Sequence, residues 1–95
     1  MSPNKLHIAF ARYFATGEGV SIFIAVGGSY ALAEDIFRKN VPEYFYPCMK
    51  VEPVESQDEE VLLITALLPE AILKIFSDNL PGSTEYFSKV HYNLS

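Results

Sequence analysis

The sequence predicts a single α+β domain, a two-layer sandwich in which two helices cover one face of a mainly antiparallel sheet, in the order β-β-α-β-β-α-β. A chain of 95 residues, 49% of them hydrophobic, can bury one core. Apolar side chains alternate in residues 5–14 and 20–26, on either side of a turn that contains glycine. This arrangement is typical of a β-hairpin and argues against a doubly wound parallel sheet. Two later segments have the apolar spacing of helices.

The two hairpin strands place their large apolar residues on one face, among them Ile8, Phe10, Ile22 and Ile24. Smaller residues fall on the other face. Phe23 nevertheless puts a large ring there, so we do not expect the second face to be fully solvated.

A helix is predicted over residues 30–40, because Ser29 suits an N-cap and apolar residues follow it at helical spacing. Asn40 can take the left-handed conformation found at helix ends. Pro42 disfavours helical backbone at Val41, so the helix should end there.

The prolines of residues 42–47 hold a short aromatic connector, which leads into a predicted edge strand at residues 49–54. Pro53 lacks the N–H that a central strand would need. Residues 61–68 are predicted as a buried strand, since residues 61–65 are apolar on every side and rich in β-branched members. The alternative is a helix, because residues 56–59 match a capping box that begins at Ser56.

A second helix is predicted from Pro69 to about Leu80, followed by a final strand over residues 84–94. The predicted core draws on both helices and on the hairpin. It consists of Leu6, Ile8, Phe10, Ile22, Ile24, Ile36, Phe37, Leu63, Ile72 and Phe76.

Composition excludes several classes of function. The net charge of −5 argues against direct binding of nucleic acid, which needs clustered Lys and Arg. No apolar run approaches the roughly 18 residues of a membrane span, and the N-terminus lacks the apolar region of a secretory signal. We therefore expect a cytoplasmic protein that does not contact membranes.

An enzyme is not favoured by the residues that carry chemistry. Cys48 has only His7 and His91 as imidazole partners, and neither is near it in sequence. We interpret Cys48 as a buried small hydrophobe, and we expect no catalytic residue, metal site or cofactor.

Five of the twelve acidic residues fall within nine positions: Glu52, Glu55, Asp58, Glu59 and Glu60. One interpretation is a solvated turn. The other is an acidic patch that attracts the basic surface of a protein partner.

Tyr44, Phe45 and Tyr46 form a run of three rings. They cannot all point at one core, whether the backbone is extended or helical, so at least one must face outward. The run is interpreted either as a lid on the core or as a partner-binding anchor.

Gly27, Gly28 and Ser29 lie between a strand and a helix, where backbone N–H groups could bind an anion. The segment lacks the lysine of a P-loop and the third glycine of a dinucleotide site. A tight turn is therefore the preferred interpretation.

The leading hypothesis is a small acidic module that inhibits or adapts a larger protein partner stoichiometrically, for instance a partner that handles nucleic acid. Phages and plasmids carry such inhibitors against host defence complexes, and the assignment of this chain to that class rests on analogy. Tyr44, Phe45 and Tyr46 would anchor the partner, and the five clustered acids would steer it. The alternatives are a homo-oligomeric structural or regulatory module, as small as a homodimer, and a binder of small anions at residues 27–29.

Overall fold

A computed structural model describes residues 6–14, 19–72, 74 and 85–93. Its four strands form one antiparallel sheet in the order β3-β1-β2-β4. The α+β class and the antiparallel sheet are thereby confirmed. In chain order the elements are β1 (His7–Phe14), β2 (Gly19–Gly27), α1 (Tyr30–Asn40), a 3₁₀ helix (Glu43–Cys48), β3 (Lys50–Pro53), α2 (Glu59–Ala66) and β4 (Glu85–Asn93).

Strands β1 and β2 form the centre of the sheet and pair from His7 opposite Gly27 to Phe14 opposite Val20. The predicted turn at residues 15–18 lies outside the described residues. Because side chains alternate between faces, even-numbered and odd-numbered residues of this pair separate cleanly. The apolar members of both sets whose burial is described are buried, and the odd-numbered set includes Phe23 beside small alanines. The expectation that the second face is not fully solvated is confirmed.

The helices lie on opposite faces of the sheet, which corrects the predicted two-layer arrangement. One core cluster joins Ile8, Phe10, Ile22 and Ile24 to residues of α2. A second cluster joins Ala9, Ala11, Phe23 and Ala25 to Ala33, Ile36 and Phe37 of α1. The physical reason is that the central strands carry apolar residues on both faces, and each face needs its own cover.

Helix α1 has the predicted bounds, and Ser29 is its N-cap, with the side-chain oxygen accepting from the N–H of Leu32 at 3.1 Å. Val41 is extended and Pro42 follows it. Asn40 remains helical, and its side-chain amide donates to the carbonyl of Ile36 at 2.8 Å. The helix is therefore terminated by Pro42 and by the side-chain cap of Asn40, and not by a residue in the left-handed conformation.

Gly27 is the point where α1 meets the sheet most closely. A Cβ atom built there would lie 2.6 Å from the backbone nitrogen of Ala33 and 2.9 Å from its Cα. Only a residue without a side chain allows this contact between backbone and backbone.

Residues 59–66 form helix α2, so the predicted strand at residues 61–68 is wrong and the helical alternative is right. The N-cap is Asp58, whose carboxylate accepts from the N–H of Glu60 at 2.8 Å. It lies two residues later than Ser56, whose hydroxyl instead accepts from the N–H of Asp58. Val61 and Ile64 point into the core. The sheet accordingly has one strand fewer than predicted among the described residues.

The predicted core is largely confirmed. Leu63 is the exception, because it is 38% exposed on the outer side of α2. Residues 70–72 and 74 are helical, in agreement with the start of the predicted second helix, while its remainder and Phe76 lie outside the described residues. The final strand is confirmed over 85–93, and Leu94 again lies outside. The buried members are Leu6, Ile8, Phe10, Ile22, Ile24, Ile36, Phe37 and Ile72.

The orientation of α2 is tested by two adjacent truncations. Ile64→Ala should reduce the free energy of unfolding by about 2–5 kcal/mol, because Ile64 is fully buried and its loss leaves a cavity. Leu63→Ala should cost less than about 1 kcal/mol, since that side chain is partly in solvent. Chemical denaturation measures both, and equal losses would contradict the helical orientation.

Gly27→Ala should destabilise the fold by about 1–3 kcal/mol, because the added methyl group forces α1 away from β2. Ser29→Ala should cost only about 1 kcal/mol through the lost cap, and Ser29→Asp should restore most of it. Thermal unfolding of the three variants separates close packing from capping. A neutral Gly27→Ala would show that the contact is not required.

Candidate functional site

The clustered acids lie around the edge strand β3 and the start of α2. Glu52 is paired with Ile8, so it belongs to the face of the sheet that α2 covers. Glu55 is exposed in the turn after β3, and Asp58 and Glu59 are exposed at the beginning of α2. The charges of Glu60, Asp58 and Glu52 all act on Lys50, so the structure brings these three acids to one corner of the molecule.

Glu60 is held by two cations. The Lys50 amine donates to one Glu60 oxygen at 2.8 Å, and the Arg12 guanidinium lies 3.5 Å from the other. The Glu60 carboxylate, with smaller contributions from Asp58 and Glu52, raises the pKa of Lys50 above its usual value. These pairs connect α2 to β1 and β3, so Glu60 positions the helix while Asp58 and Glu59 face solvent.

Helix α2 also presents an exposed outer face, which we call the α2 stripe and define as Glu59, Leu62, Leu63 and Ala66. All four are exposed, and Leu62 and Leu63 are 52% and 38% exposed. Their spacing of i, i+3, i+4 and i+7 puts them on one side of a helix. Together with Asp58, the stripe combines two leucines with two carboxylates.

A shallow depression lies beside the stripe where α2 meets the central strands. Leu63, Ile64 and Glu60 line it from the helix, and Phe10, Arg12 and Ile22 line it from the sheet. The lining is apolar except for the ion pair of Arg12 with Glu60. The depression continues the apolar surface of the stripe onto the sheet.

The α2 stripe was not predicted, because residues 61–68 were predicted as a strand. The clue was present in the spacing, since Leu62, Leu63 and Ala66 fit one helical face while Val61 and Ile64 fit another. In a helix that is apolar on all sides, each side is either buried in the core or left available to another surface.

The three rings of the connector have different environments on the 3₁₀ helix. Phe45 packs on Phe23 with ring centroids 5.1 Å apart. The Tyr46 hydroxyl donates to the carbonyl of Arg38 at 2.6 Å, and the Arg38 guanidinium lies 5.1 Å from the ring centroid. Tyr44 is 83% exposed, and its ring meets that of Phe45 in a T-shaped contact with the centroids 5.1 Å apart. The expectation that at least one ring faces outward is confirmed, and that ring is Tyr44.

Tyr44 and the acids lie on the two sides of β3. Lys50 and Glu52 pair with Phe10 and Ile8 on the α2 face, whereas Val51 packs with the cluster on the α1 face. Phe45 and Tyr46 pack against that second cluster, and the Tyr44 ring contacts Phe45. A partner that used both groups would have to reach around this edge of the sheet.

Residues 27–29 are used for packing and capping. The backbone of α1 occupies the space beside Gly27 where a side chain would lie. The side-chain oxygen of Ser29 already accepts from the N–H of Leu32. The N–H of Ala33 donates to the carbonyl of Ser29 at 3.0 Å. These contacts favour the tight-turn interpretation of the segment.

Cys48 is exposed, so the interpretation as a buried hydrophobe is wrong. It lies at the end of the 3₁₀ helix, after Pro47, and none of the six residues of that helix is buried. His7 packs its ring against Tyr30, and His91 shares a 3.0 Å hydrogen bond with Ser21. His7 lies opposite Gly27, and His91 lies opposite Ser21. These two positions of β2 are about 20 Å apart along the strand.

Comparison of the chain with protein-family models, with curated proteins and with solved structures gave no match. In the part of the chain that the structure describes, no helix is long and apolar enough to cross a membrane. The same residues contain no group of three His, Cys, Asp or Glu that could hold a metal ion.

Glu60→Gln should lower the free energy of unfolding by up to about 1 kcal/mol more than Glu59→Gln does. Both residues lie in the first turn of α2, so both lose the same interaction with the helix dipole, and only Glu60 loses two ion pairs. The difference should shrink in high salt.

The difference in stability between Glu60→Gln and Glu59→Gln should also depend on pH. The pKa of Lys50 is raised in the folded state, so the stabilisation from its pair with Glu60 is present at neutral pH and lost as the pH rises through that pKa. Denaturation at neutral and strongly alkaline pH measures this loss. An equal effect of the two substitutions at neutral pH and low salt would contradict the structural role of Glu60.

Proposed function

We propose that this chain is a protein-interaction module that binds a larger partner stoichiometrically, as an inhibitor or adaptor, through the α2 stripe. The observation that carries the proposal is the exposure of Leu62 and Leu63 on a helix whose other side already fills the core. Leaving two leucines in water forgoes the stabilisation that burial would give them.

The geometry of the stripe suits one mode of recognition. Side chains at i, i+3, i+4 and i+7 are the positions with which a helix enters an apolar groove on a partner. The depression lined by Phe10 and Leu63 extends the same apolar surface toward the sheet. We therefore expect the partner to offer an apolar groove, with the two leucines at the centre of the contact.

The charges around the stripe specify the rim of that groove. Asp58 and Glu59 are exposed beside the leucines, whereas Glu60 is already paired with Lys50 and Arg12. The net charge of the chain is −5. A basic rim on the partner would be attracted over a distance, and the attraction would act mainly on the association rate.

Tyr44 is the second candidate anchor, and Phe45 and Tyr46 support it from the α1 side of β3. It is 83% exposed, more than any other large hydrophobic described. Tyrosines are common in the centres of interfaces. A partner that wraps around β3 would contact Tyr44 as well as the α2 stripe, so a Tyr44 variant measures the extent of the interface.

The first test is capture from native lysate on the immobilised chain. The wild type, the double variant Leu62→Ser/Leu63→Ser and the control Tyr30→Ala are compared, because Tyr30 is an exposed ring far from the stripe at the start of α1. The proposal expects a saturable partner that the wild type and Tyr30→Ala retain and that the double variant loses. Thermal unfolding must show that all three fold.

Binding kinetics with the isolated partner then separate the roles of the leucines, the exposed acids and Tyr44. Leu62→Ala should raise the dissociation rate and weaken binding by about 30-fold or more if Leu62 is a central anchor. Asp58→Asn/Glu59→Gln should lower the association rate and its dependence on salt, with little change in dissociation. Tyr44→Ala should raise the dissociation rate only if the partner reaches around β3. A partner that binds the double leucine variant as tightly as the wild type would refute the proposed surface.

A further inference from the structure

The sheet has two edges of very different kind. Strand β3 is four residues long and ends at Pro53, so it offers little for pairing. Strand β4 is nine residues long and contains neither proline nor glycine. Within the described residues no strand pairs with its outer side. Its outward N–H and C=O groups form a template for another strand.

Apolar side chains lie along β4 on both faces of the sheet. Tyr86 and Val90 pack partly on the cluster that includes α2, and Phe87 packs partly on the cluster that includes α1. All three are only partly buried. A strand added to this edge would remove more of their surface from water on both faces at once.

We propose that β4 pairs with β4 of a second copy of this chain, antiparallel and with the two-fold axis at Ser88. The charges of the strand select this register. An axis at Lys89 would use all nine residues but would set Lys89 opposite Lys89 of the second copy, and like charges directly opposite each other are unfavourable. An axis at Phe87 would pair only residues 85–89.

The axis at Ser88 pairs residues 85–91 and makes every cross-strand pair complementary. Glu85 faces His91 of the second copy, Tyr86 faces Val90, and Phe87 faces Lys89, and each pair occurs twice by symmetry. These are a carboxylate with an imidazole, an aromatic with a β-branched residue, and a ring with an ammonium group. Lys89 thus disfavours the longest register and favours the next one.

This surface is separate from the α2 stripe. Glu60 ties α2 to β1 and β3, whereas β4 lies at the opposite edge of the sheet. Self-association can therefore be measured on the purified chain alone. Its failure would leave the proposed partner binding untouched, and a failure of partner binding would leave this pairing untouched.

The first experiment is sedimentation of the purified chain over a range of concentrations. The wild type and Ser88→Ala should form dimers. Ser88→Lys should raise the dimer dissociation constant by about tenfold or more, because it sets two lysines against each other on the axis. The matched control is Ala31→Lys, which adds the same charge at an exposed position of α1. A monomer at all concentrations, or a dimer equally stable in Ser88→Lys, overturns the proposal.

The second experiment does not depend on how Ser88→Lys folds. In a Cys48→Ser background, which removes the exposed native thiol, Ser88→Cys should form disulfide-linked dimers rapidly under mild oxidation. Opposed Cβ atoms in an antiparallel pair lie about 4.5–5.5 Å apart, close to disulfide geometry. Glu85→Cys is the control, since the two copies of position 85 would be about 20 Å apart in this register. Equal or faster crosslinking of Glu85→Cys would overturn the register.

Discussion

The arrangement of the whole domain depends on the pairing of β1 with β2, two central strands that are buried on both faces. Ile8 and Phe10 with Ile22 and Ile24 face one way, and Ala9, Ala11, Phe23 and Ala25 face the other. Strands at the sheet's centre cannot leave either set in water without a large loss of burial. A helix on each face is the consequence, and the small residues of the odd-numbered face let α1 approach until it touches the backbone of Gly27.

Local sequence determines the elements whose ends have specific residues. Ser29, the apolar spacing after it and Pro42 fix α1, and the alternating pattern fixes β1, β2 and β4. The layer arrangement could not be predicted in the same way. The alanines at positions 9, 11 and 25 are compatible either with a face in solvent or with a face against which a helix packs closely. Only the position of α1 distinguishes the two.

In helix α2, capping and burial together outweigh the strand preference of the local composition. Residues 61–65 include three β-branched side chains, and β-propensity alone favours a strand. The Asp58 carboxylate nevertheless accepts from the N–H of Glu60, and Val61 and Ile64 of the helix join the core cluster on the sheet. Burial of that inner stripe stabilises the helix more than intrinsic propensity opposes it. The outer leucines follow from the same choice, because a strand would have exposed a different set.

The candidate surface was predictable only in part for a related reason. The acids and the outward ring were visible as a cluster and a run, but charge partners depend on which strands come together. Lys50 and Arg12 are 38 residues apart in sequence, and the sheet places both beside Glu60. Glu60 is thereby distinguished from Asp58 and Glu59, which face solvent, and its two ion pairs connect α2 to β1 and β3. The residue that the sequence assigned to steering a partner instead joins two strands of the sheet to the helix that carries Leu62 and Leu63.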